Sequence, residues 1–183
     1  MQWTLRVLDT TPTHIDREID MAFVSILMGS ESDLPVMQET AALLKRFGVA
    51  HEMRISSAHR TPDATRAYVR DADTRGCAIF IAAAGMAAHL AGAVAANTVR
   101  PVIGVPLDAS GLGGLDALLS TVQMPGGIPV ASVAIGKAGA RNAAYLALQI
   151  LAIGDVTIAD KLKRDRDEAA DNVAAANARL QSS

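Results

Sequence analysis

Two stretches of the sequence decide the fold: FVSILMGSESD at residues 23–33 and HEMRISSAHRTP at residues 51–62. Each begins with an apolar, strand-like run, continues into a short polar motif and then opens a helical pattern. In a parallel sheet successive strands end at the same edge, so the two polar motifs are expected to lie side by side. That edge is where α/β proteins bind their ligands. The pattern therefore predicts a ligand site between residues 29–33 and 57–62.

The alternation of strand-like runs and helical spacing continues along the chain. Besides strands at 23–27 and 51–55, the sequence predicts strands at 77–82, 101–105 and 130–134, and helices at 34–47, 62–75, 87–97, 114–122 and 138–153. Gly48 is typical of a helix end, Thr61 of an N-cap and Pro62 of a first helical position. Such alternation favours right-handed crossovers over both faces of one sheet. We therefore predict a three-layer αβα fold, with a flavodoxin-like, doubly wound parallel sheet of five strands in the order 2-1-3-4-5 and a C-terminal helical extension.

Two appendages flank the predicted α/β domain at residues 21–154. Residues 1–20 form an N-terminal extension of weak periodicity that precedes a second methionine, Met21, and we assign it no function. Residues 155–183 carry apolar side chains at spacings near three and four among many charged ones, which predicts an amphipathic helix. Its charges indicate a solvated face, and its apolar stripe is expected to lie on this subunit or on a neighbouring one.

Composition points to a small-molecule partner. The chain has 183 residues, half of them hydrophobic, and a formal charge of −2. It has no basic run away from a mixed-charge C-terminus, so the charge pattern does not indicate binding to nucleic acid or to an anionic membrane. The single cysteine, Cys77, lies in an apolar segment and is expected to be buried, which fits a reducing compartment and a cytoplasmic protein.

An uncharged stretch at residues 76–99 is long enough to span a bilayer. It is rich in alanine and glycine, places His89 near its middle and is broken at Ala84, Gly85 and Met86. Membrane helices draw their insertion energy mainly from leucine, isoleucine, phenylalanine and valine, which are sparse here. We interpret the stretch as strand, turn and helix rather than as a membrane span.

The first polar loop has the chemistry of a sugar-phosphate site. Gly29 permits tight backbone geometry, Ser30 and Ser32 offer hydroxyls, and the amides at the start of the next helix favour an anion. The carboxylate of Asp33 can accept hydrogen bonds from a ribose diol. The alternative is that this serine and aspartate cluster only caps the helix.

The second polar loop carries a candidate acid–base group. His59 lies where side chains face the ligand crevice, and imidazole is the side chain best suited to moving protons near neutral pH. Arg60 beside it can hold a phosphate or carboxylate through two parallel hydrogen bonds.

The other histidines are weaker candidates. His14 lies in the N-terminal extension and His51 at a strand start on the opposite edge, so neither is expected in the site. His89 either faces the crevice or is a satisfied core histidine, and its surroundings alone favour the core. No histidine pair shows metal-ligand spacing with carboxylates or cysteines, so no metal is expected.

Several further motifs occur in the same order as in a known family. The sequence closely resembles the N5-carboxyaminoimidazole ribonucleotide mutases of purine biosynthesis, the class I phosphoribosylaminoimidazole carboxylase catalytic subunit family. The resemblance covers residues 24 to about 151. The motifs that carry it are MGS with SD at 28–33, SAHRTPD at 57–63, AAHL at 87–90, PVIGVP at 101–106, VQMP at 122–125 and AIGKAGA at 134–140.

The resemblance implies a function and a set of site residues. The family moves a carboxylate from the exocyclic N5 of an aminoimidazole ribonucleotide to ring carbon C4, without a metal or an organic cofactor. By this resemblance His59 is the catalytic residue, and the loop 82–89 and the turn 123–125 are walls of a pocket that holds CO₂. The residues expected to bind substrate are Gly29, Ser30, Ser32, Asp33, Ser57, Arg60, Ala84, Gly85 and His89. The family forms homo-octamers whose sites include residues of neighbouring subunits.

The chain departs from the commonest family pattern in the pocket loop. Ala83, Met86 and Ala91 stand where the family usually has glycine or proline. The change leaves open an aminoimidazole ribonucleotide carboxylase that uses free CO₂. That branch typically carries lysine in place of Arg60, so the mutase is favoured. A third possibility is a non-catalytic nucleotide-sensing module, in which His59 would be idle.

Overall fold

A computed structural model describes residues 22–181, and it contains a five-stranded, all-parallel sheet of order β2-β1-β3-β4-β5. The predicted flavodoxin-like α/β fold and strand order are confirmed. The strands are β1 Phe23–Met28, β2 His51–Ile55, β3 Cys77–Gly85, β4 Val102–Leu107 and β5 Ala131–Ser132. The helices are α1 Leu34–Phe47, α2 Pro62–Thr74, α3 Leu90–Ala95, α4 Leu115–Val122, α5 Gly136–Leu151 and α6 Val156–Gln181, with a 3-10 turn at Glu31–Asp33.

The two faces of the sheet are buried by different helices. Val24 and Ile26 of β1 pack in one cluster with α1, α5 and the start of α6. Leu27, which points to the opposite face, packs with α2 and α3. Because both faces are covered, the central strands are almost entirely apolar, as is typical of parallel sheets, with the buried Ser25 of β1 hydrogen-bonded to Tyr68. The three layers follow from this pattern.

The strand register brings the strand ends to one edge. Met28 of β1 pairs with Ile55 of β2 and Ala83 of β3. Beyond the strand end, the Gly29 amide donates to the Ala83 carbonyl at 3.1 Å and the Ser56 amide to the Met28 carbonyl at 2.8 Å. The loops after β1, β2 and β3 therefore start from a common, hydrogen-bonded platform.

Local signals at the helix ends are confirmed except at one cap. Gly48 ends α1 with a φ of 79°, and Pro62 opens α2. Thr61 precedes Pro62 as predicted, but its hydroxyl does not cap the helix. Instead it accepts from the Ser57 amide and donates to the Ser57 carbonyl, both at 3.1 Å. The threonine thus closes the loop that carries His59.

Several predicted boundaries differ from the observed ones by one to three residues, and three elements show the physical reasons. β5 is only two residues long, because an edge strand pairs on one side and the chain turns into α5 at Gly136, where φ is 70°. The helix predicted at 87–97 is shorter, Leu90–Ala95, because Met86 has a left-handed backbone, with a φ of 56°. β3 in turn runs on to Gly85. The stretch at 76–99 is strand and helix as predicted, and none of the helices within residues 22–181 is long and apolar enough to cross a membrane.

The first half of α6 is fixed to its own subunit. Ile158 packs in the core beside α1, and Lys161 donates to the Phe47 carbonyl at 2.7 Å. Asp165 accepts from Tyr145 at 2.6 Å and pairs with Arg46. Further along, Val173 and Leu180 are 63% and 75% exposed. The apolar stripe of this helix is therefore only partly covered within the chain.

Candidate functional site

A cleft of about 530 Å³ lies at the carboxyl edge of the sheet. Loops that follow β1, β2, β3 and β4 all contribute to its lining. The structure brings every predicted site residue to this cleft: Gly29, Ser30, Ser32, Asp33, Ser57, His59, Arg60, Ala84, Gly85 and His89.

The loop after β1 is a capped 3-10 turn. Ser30 Oγ accepts from the Ser32 amide at 3.3 Å, and Asp33 Oδ2 accepts from the Ser30 amide at 3.0 Å. The capping role considered as an alternative for this cluster is therefore present. Capping occupies only Oδ2 of the Asp33 carboxylate. Its other oxygen, Oδ1, has a single long contact, with Ser32 Oγ at 3.4 Å. That oxygen is available to a ligand hydroxyl.

The residue Asp33 is only 7% exposed although it lines the cleft. Burial raises its pKa above the ordinary value of 3.8 because the charged form loses hydration. Hydrogen bonds from Ser30 and Ser32 and the charge of Arg60 oppose this shift. The buried carboxylate thus lowers the stability of the unliganded protein while it is held in place in the cleft.

An Asp33→Asn variant is expected to bind a ribonucleotide about tenfold more weakly, because the charged acceptor is lost.

The stability of Asp33→Asn should respond to pH differently from that of the wild type. A raised carboxyl pKa means that wild-type stability falls as pH rises from 3.8 through the folded-state pKa. As the pH rises from about 4 to about 7, the melting temperature of Asp33→Asn should therefore rise relative to that of the wild type. Glu31→Gln, in the same turn but exposed, is the control, and identical pH slopes for Asp33→Asn and wild type would contradict the argument.

Arg60 ties the two polar loops together. Its Nη2 donates to the Gly29 carbonyl at 3.0 Å and its Nε to Ser57 Oγ at 3.3 Å. The Arg60 amide also donates to Ser57 Oγ, at 3.2 Å. Among residues 22–181, Nη1 has no acceptor. The guanidinium is therefore oriented by the protein and keeps one nitrogen for an anionic ligand.

His59 and His89 form a hydrogen-bonded pair. The Nε2 of His59 lies 2.8 Å from the Nδ1 of His89, and the rings stand edge to face at 85°. Such a bond requires a proton on one nitrogen and a lone pair on the other. The pair can therefore hold and release a proton inside the cleft. The core placement favoured for His89 is wrong: it is exposed and precedes α3, because the left-handed turn at Met86 delays the helix start.

Another wall of the cleft is apolar and consists of small residues together with Met86 and Leu90. A Cβ on Gly85 would lie 2.4 Å from the Cβ of Ala109, so glycine is required for the ends of β3 and β4 to meet. Sequence reasoning missed Ala109, although its position at the carboxyl end of β4 could have indicated it. Ala58 and Leu90 were also not assigned to the site, whereas Met86 and Ala87 belong to the loop 82–89 that was expected to form a pocket wall.

The structure also bears on the turn expected to form a pocket wall and on the three departures from the family pattern. The turn at 123–125 does not line the cleft of its own chain, because it follows a helix rather than a strand end, and Met124 instead packs against Gly92. Of the three departures in the pocket loop, Ala83 and Ala91 are buried away from the cleft. Met86 alone of these three lines it.

Within residues 22–181, the third histidine and the single cysteine lie outside the cleft lining. His51 is at the start of β2, away from the cleft, as predicted, and His14 lies outside the described residues. Among the described residues there is no group of three or more histidine, cysteine, aspartate or glutamate side chains that could hold a metal ion. Cys77 is buried, and burial raises the pKa of its thiol to about 12.

Comparison with known proteins identifies the family. The family model described as AIR carboxylase matches residues 23–172. The chain belongs to the AIR carboxylase family. The match includes every residue that lines the cleft, and it ends within α6.

Other members of the AIR carboxylase family are similar over most of their length. A Pyrococcus abyssi protein named N5-carboxyaminoimidazole ribonucleotide mutase is 54% identical over 151 residues, which are 82% of this chain and 86% of that protein. A Mycobacterium tuberculosis protein of the same name is 51% identical over 158 residues, 86% of this chain and 90% of the other. The crystal structure of Treponema denticola PurE is 30% identical, with a TM-score of 0.78, and the match covers 87% of this chain and 98% of that one.

Proposed function

We propose that the protein is an N5-carboxyaminoimidazole ribonucleotide mutase, an isomerase of purine biosynthesis. The observation that carries the proposal is the His59–His89 pair, placed in one cleft with a buried carboxylate and an oriented guanidinium. Relatives with about half of their residues identical to this chain carry the same name. The reaction needs a proton carrier beside a ribonucleotide site, and this cleft offers both.

The substrate would bind through its ribose and phosphate. Asp33 Oδ1 is available to the ribose diol, and Arg60 Nη1 to the phosphate. The hydroxyls of Ser30 and Ser32 and the backbone of the 3-10 turn offer further donors for the phosphate. These contacts would place the aminoimidazole ring over the histidine pair.

In the proposed reaction His59 gives up one proton and later takes one back. The bond from N5 to the carboxyl carbon breaks, its electron pair stays on nitrogen, and N5 takes a proton from His59 while CO₂ forms. Ring carbon C4 then attacks CO₂, and the proton on C4 passes to His59. The histidine ends as it began, and the net reaction is an isomerisation.

His89 is proposed to position His59 and not to touch the reacting atoms. Its hydrogen bond holds the His59 ring at a fixed angle and allows one proton to be shared between two nitrogens. General acid–base catalysis of this kind accounts for roughly 10² to 10⁴ in rate. Confinement of CO₂ beside C4 must supply much of the rest.

A conversion assay tests the proposal. Purified protein is given N5-carboxyaminoimidazole ribonucleotide in buffer depleted of bicarbonate, and the C4-carboxylated product is followed. Rapid conversion is expected. If product forms only from aminoimidazole ribonucleotide with added bicarbonate, the protein is the CO₂-dependent carboxylase. Ligand binding without either reaction would indicate a sensor.

We also propose that the protein works as a homo-oligomer, an octamer as the family resemblance implies, in the cytoplasm. Two exposed apolar surfaces support self-association. One is on α4 and carries Leu115 and Leu119, which are 54% and 51% exposed. The other is on the outer half of α6, with Val173 and Leu180 seven residues apart on one face. We infer that α6 lies across a neighbouring subunit, and the buried free cysteine suits a reducing compartment.

Truncation after Glu168 is expected to lower the assembled mass in light scattering. The cut keeps the anchored half of α6, including Lys161 and Asp165, so the subunit fold should survive. A milder test replaces both Val173 and Leu180 with aspartate, with Ala175→Asp plus Ala178→Asp on the opposite face as the control. An unchanged mass in both the truncated and the Val173/Leu180 proteins would contradict the packing of α6 on a neighbour.

A further inference from the structure

Met86 occupies a backbone position that favours glycine. Its φ of 56° makes it the one non-glycine residue with positive φ among those the structure describes. Side chains rarely adopt this conformation because Cβ crowds the following carbonyl. The neighbouring Gly85 does not provide the turn. A glycine is needed there for a different reason, because a Cβ would lie 2.4 Å from the Cβ of Ala109. The strain at Met86 therefore indicates that its side chain has a use.

The side chain of Met86 is exposed and lies at the cleft. It is 59% exposed and belongs to the cleft lining, three residues before His89. The rest of the apolar wall consists of small residues and of Leu90, which is 2% exposed and held in the core. Within the part of the chain that the structure describes, Met86 is thus the one long apolar side chain in the cleft lining that is exposed, so no packing in the core holds it away from a bound ligand. Methionine suits this task, because it is unbranched and adapts to irregular surfaces.

We propose that Met86 closes the cleft over the bound ribonucleotide and retains CO₂ between its release from N5 and its capture by C4. The inference rests on the proposed mutase function and assigns within it a residue that determines how the intermediate is partitioned. In an open cleft, CO₂ diffuses away and the aminoimidazole ribonucleotide is left without its carboxyl group. An apolar side chain over the ring excludes water and blocks the path by which CO₂ would leave.

The test is the partition of each turnover between C4-carboxylated product and free aminoimidazole ribonucleotide, in bicarbonate-depleted buffer. In Met86→Gly we expect the share lost as free aminoimidazole ribonucleotide to rise several-fold, with little change in KM. Met86→Leu keeps an apolar side chain of similar size and should lose no more than the wild type. Glycine adopts the positive φ without strain, so the melting temperature of Met86→Gly should not fall.

The outcomes separate this inference from the proposed function. A wild type that converts the substrate, together with an unchanged partition in Met86→Gly, would overturn the role of Met86 and leave the mutase intact. An equal rise in Met86→Leu and Met86→Gly would overturn it as well. A wild type with no conversion would overturn the proposed function, and the inference with it.

Discussion

A His59→Asn variant is expected to convert N5-carboxyaminoimidazole ribonucleotide about 10²- to 10⁴-fold more slowly than the wild type, with ribonucleotide affinity nearly unchanged. Asparagine can keep a hydrogen bond to His89 but cannot give up and regain a proton near neutral pH. The residues proposed to bind ribose and phosphate, Asp33 and Arg60, are untouched by the change. Steady-state kcat and titration with aminoimidazole ribonucleotide measure the two effects separately.

His51→Asn is the matched control for this variant. His51 lies at the start of β2, outside the cleft, and its Nδ1 is 3.1 Å from the Val49 carbonyl. Its substitution should leave kcat within the error of the wild type. If His59→Asn retained full turnover, His59 would not be the proton carrier and the proposed mechanism would fail.

The second large effect is expected for Arg60→Gln. We predict a KM about 10- to 100-fold higher, since a charge-assisted contact to phosphate is lost and such contacts are worth roughly 1.5–3 kcal/mol. The loss of its bonds to Gly29 and Ser57 should also loosen the two loops, with a smaller fall in kcat.

A comparison of two ligands assigns the Arg60 effect to phosphate. Wild-type protein should bind aminoimidazole ribonucleotide far more tightly than its dephosphorylated nucleoside, and most of this difference should vanish in Arg60→Gln. Arg66→Gln, an exposed arginine on α2 outside the cleft, is the control. An undiminished preference for the phosphorylated ligand in Arg60→Gln would mean that another group binds the phosphate.

The sheet and most of the site were predictable because both follow from periodic patterns. Runs such as FVSIL can be buried on both faces only in the middle of a covered parallel sheet. Once strands end at a common edge, the polar residues after β1 and β2 must meet there. Gly29, Asp33, His59 and Arg60 were found by this rule, and the hydrogen bond from Arg60 to the Gly29 carbonyl joins the two loops.

The residues that the sequence did not reveal depend on packing or on backbone conformation. Ala109 has no polar group to mark it, and its place in the cleft follows from the contact of β3 with β4. From the residues alone His89 was expected in the core, within the apolar helix predicted at 87–97, and only the family resemblance placed it in the site. Its exposure depends on the left-handed turn at Met86, which no side-chain pattern indicates. The hydroxyl of Thr61 could have capped α2, but in the structure it bonds to both the amide and the carbonyl of Ser57.

The central claim is that one carboxyl group stays in the cleft while it moves from N5 to C4. The most direct test supplies N5-carboxyaminoimidazole ribonucleotide with a ¹³C-labelled carboxylate in buffer that contains unlabelled bicarbonate, and measures the label at C4 of the product by mass spectrometry. Intramolecular transfer in a closed site predicts that nearly all product keeps the label. Product with the isotopic composition of the buffer would show that the carboxyl group came from free CO₂, and would contradict the mutase account.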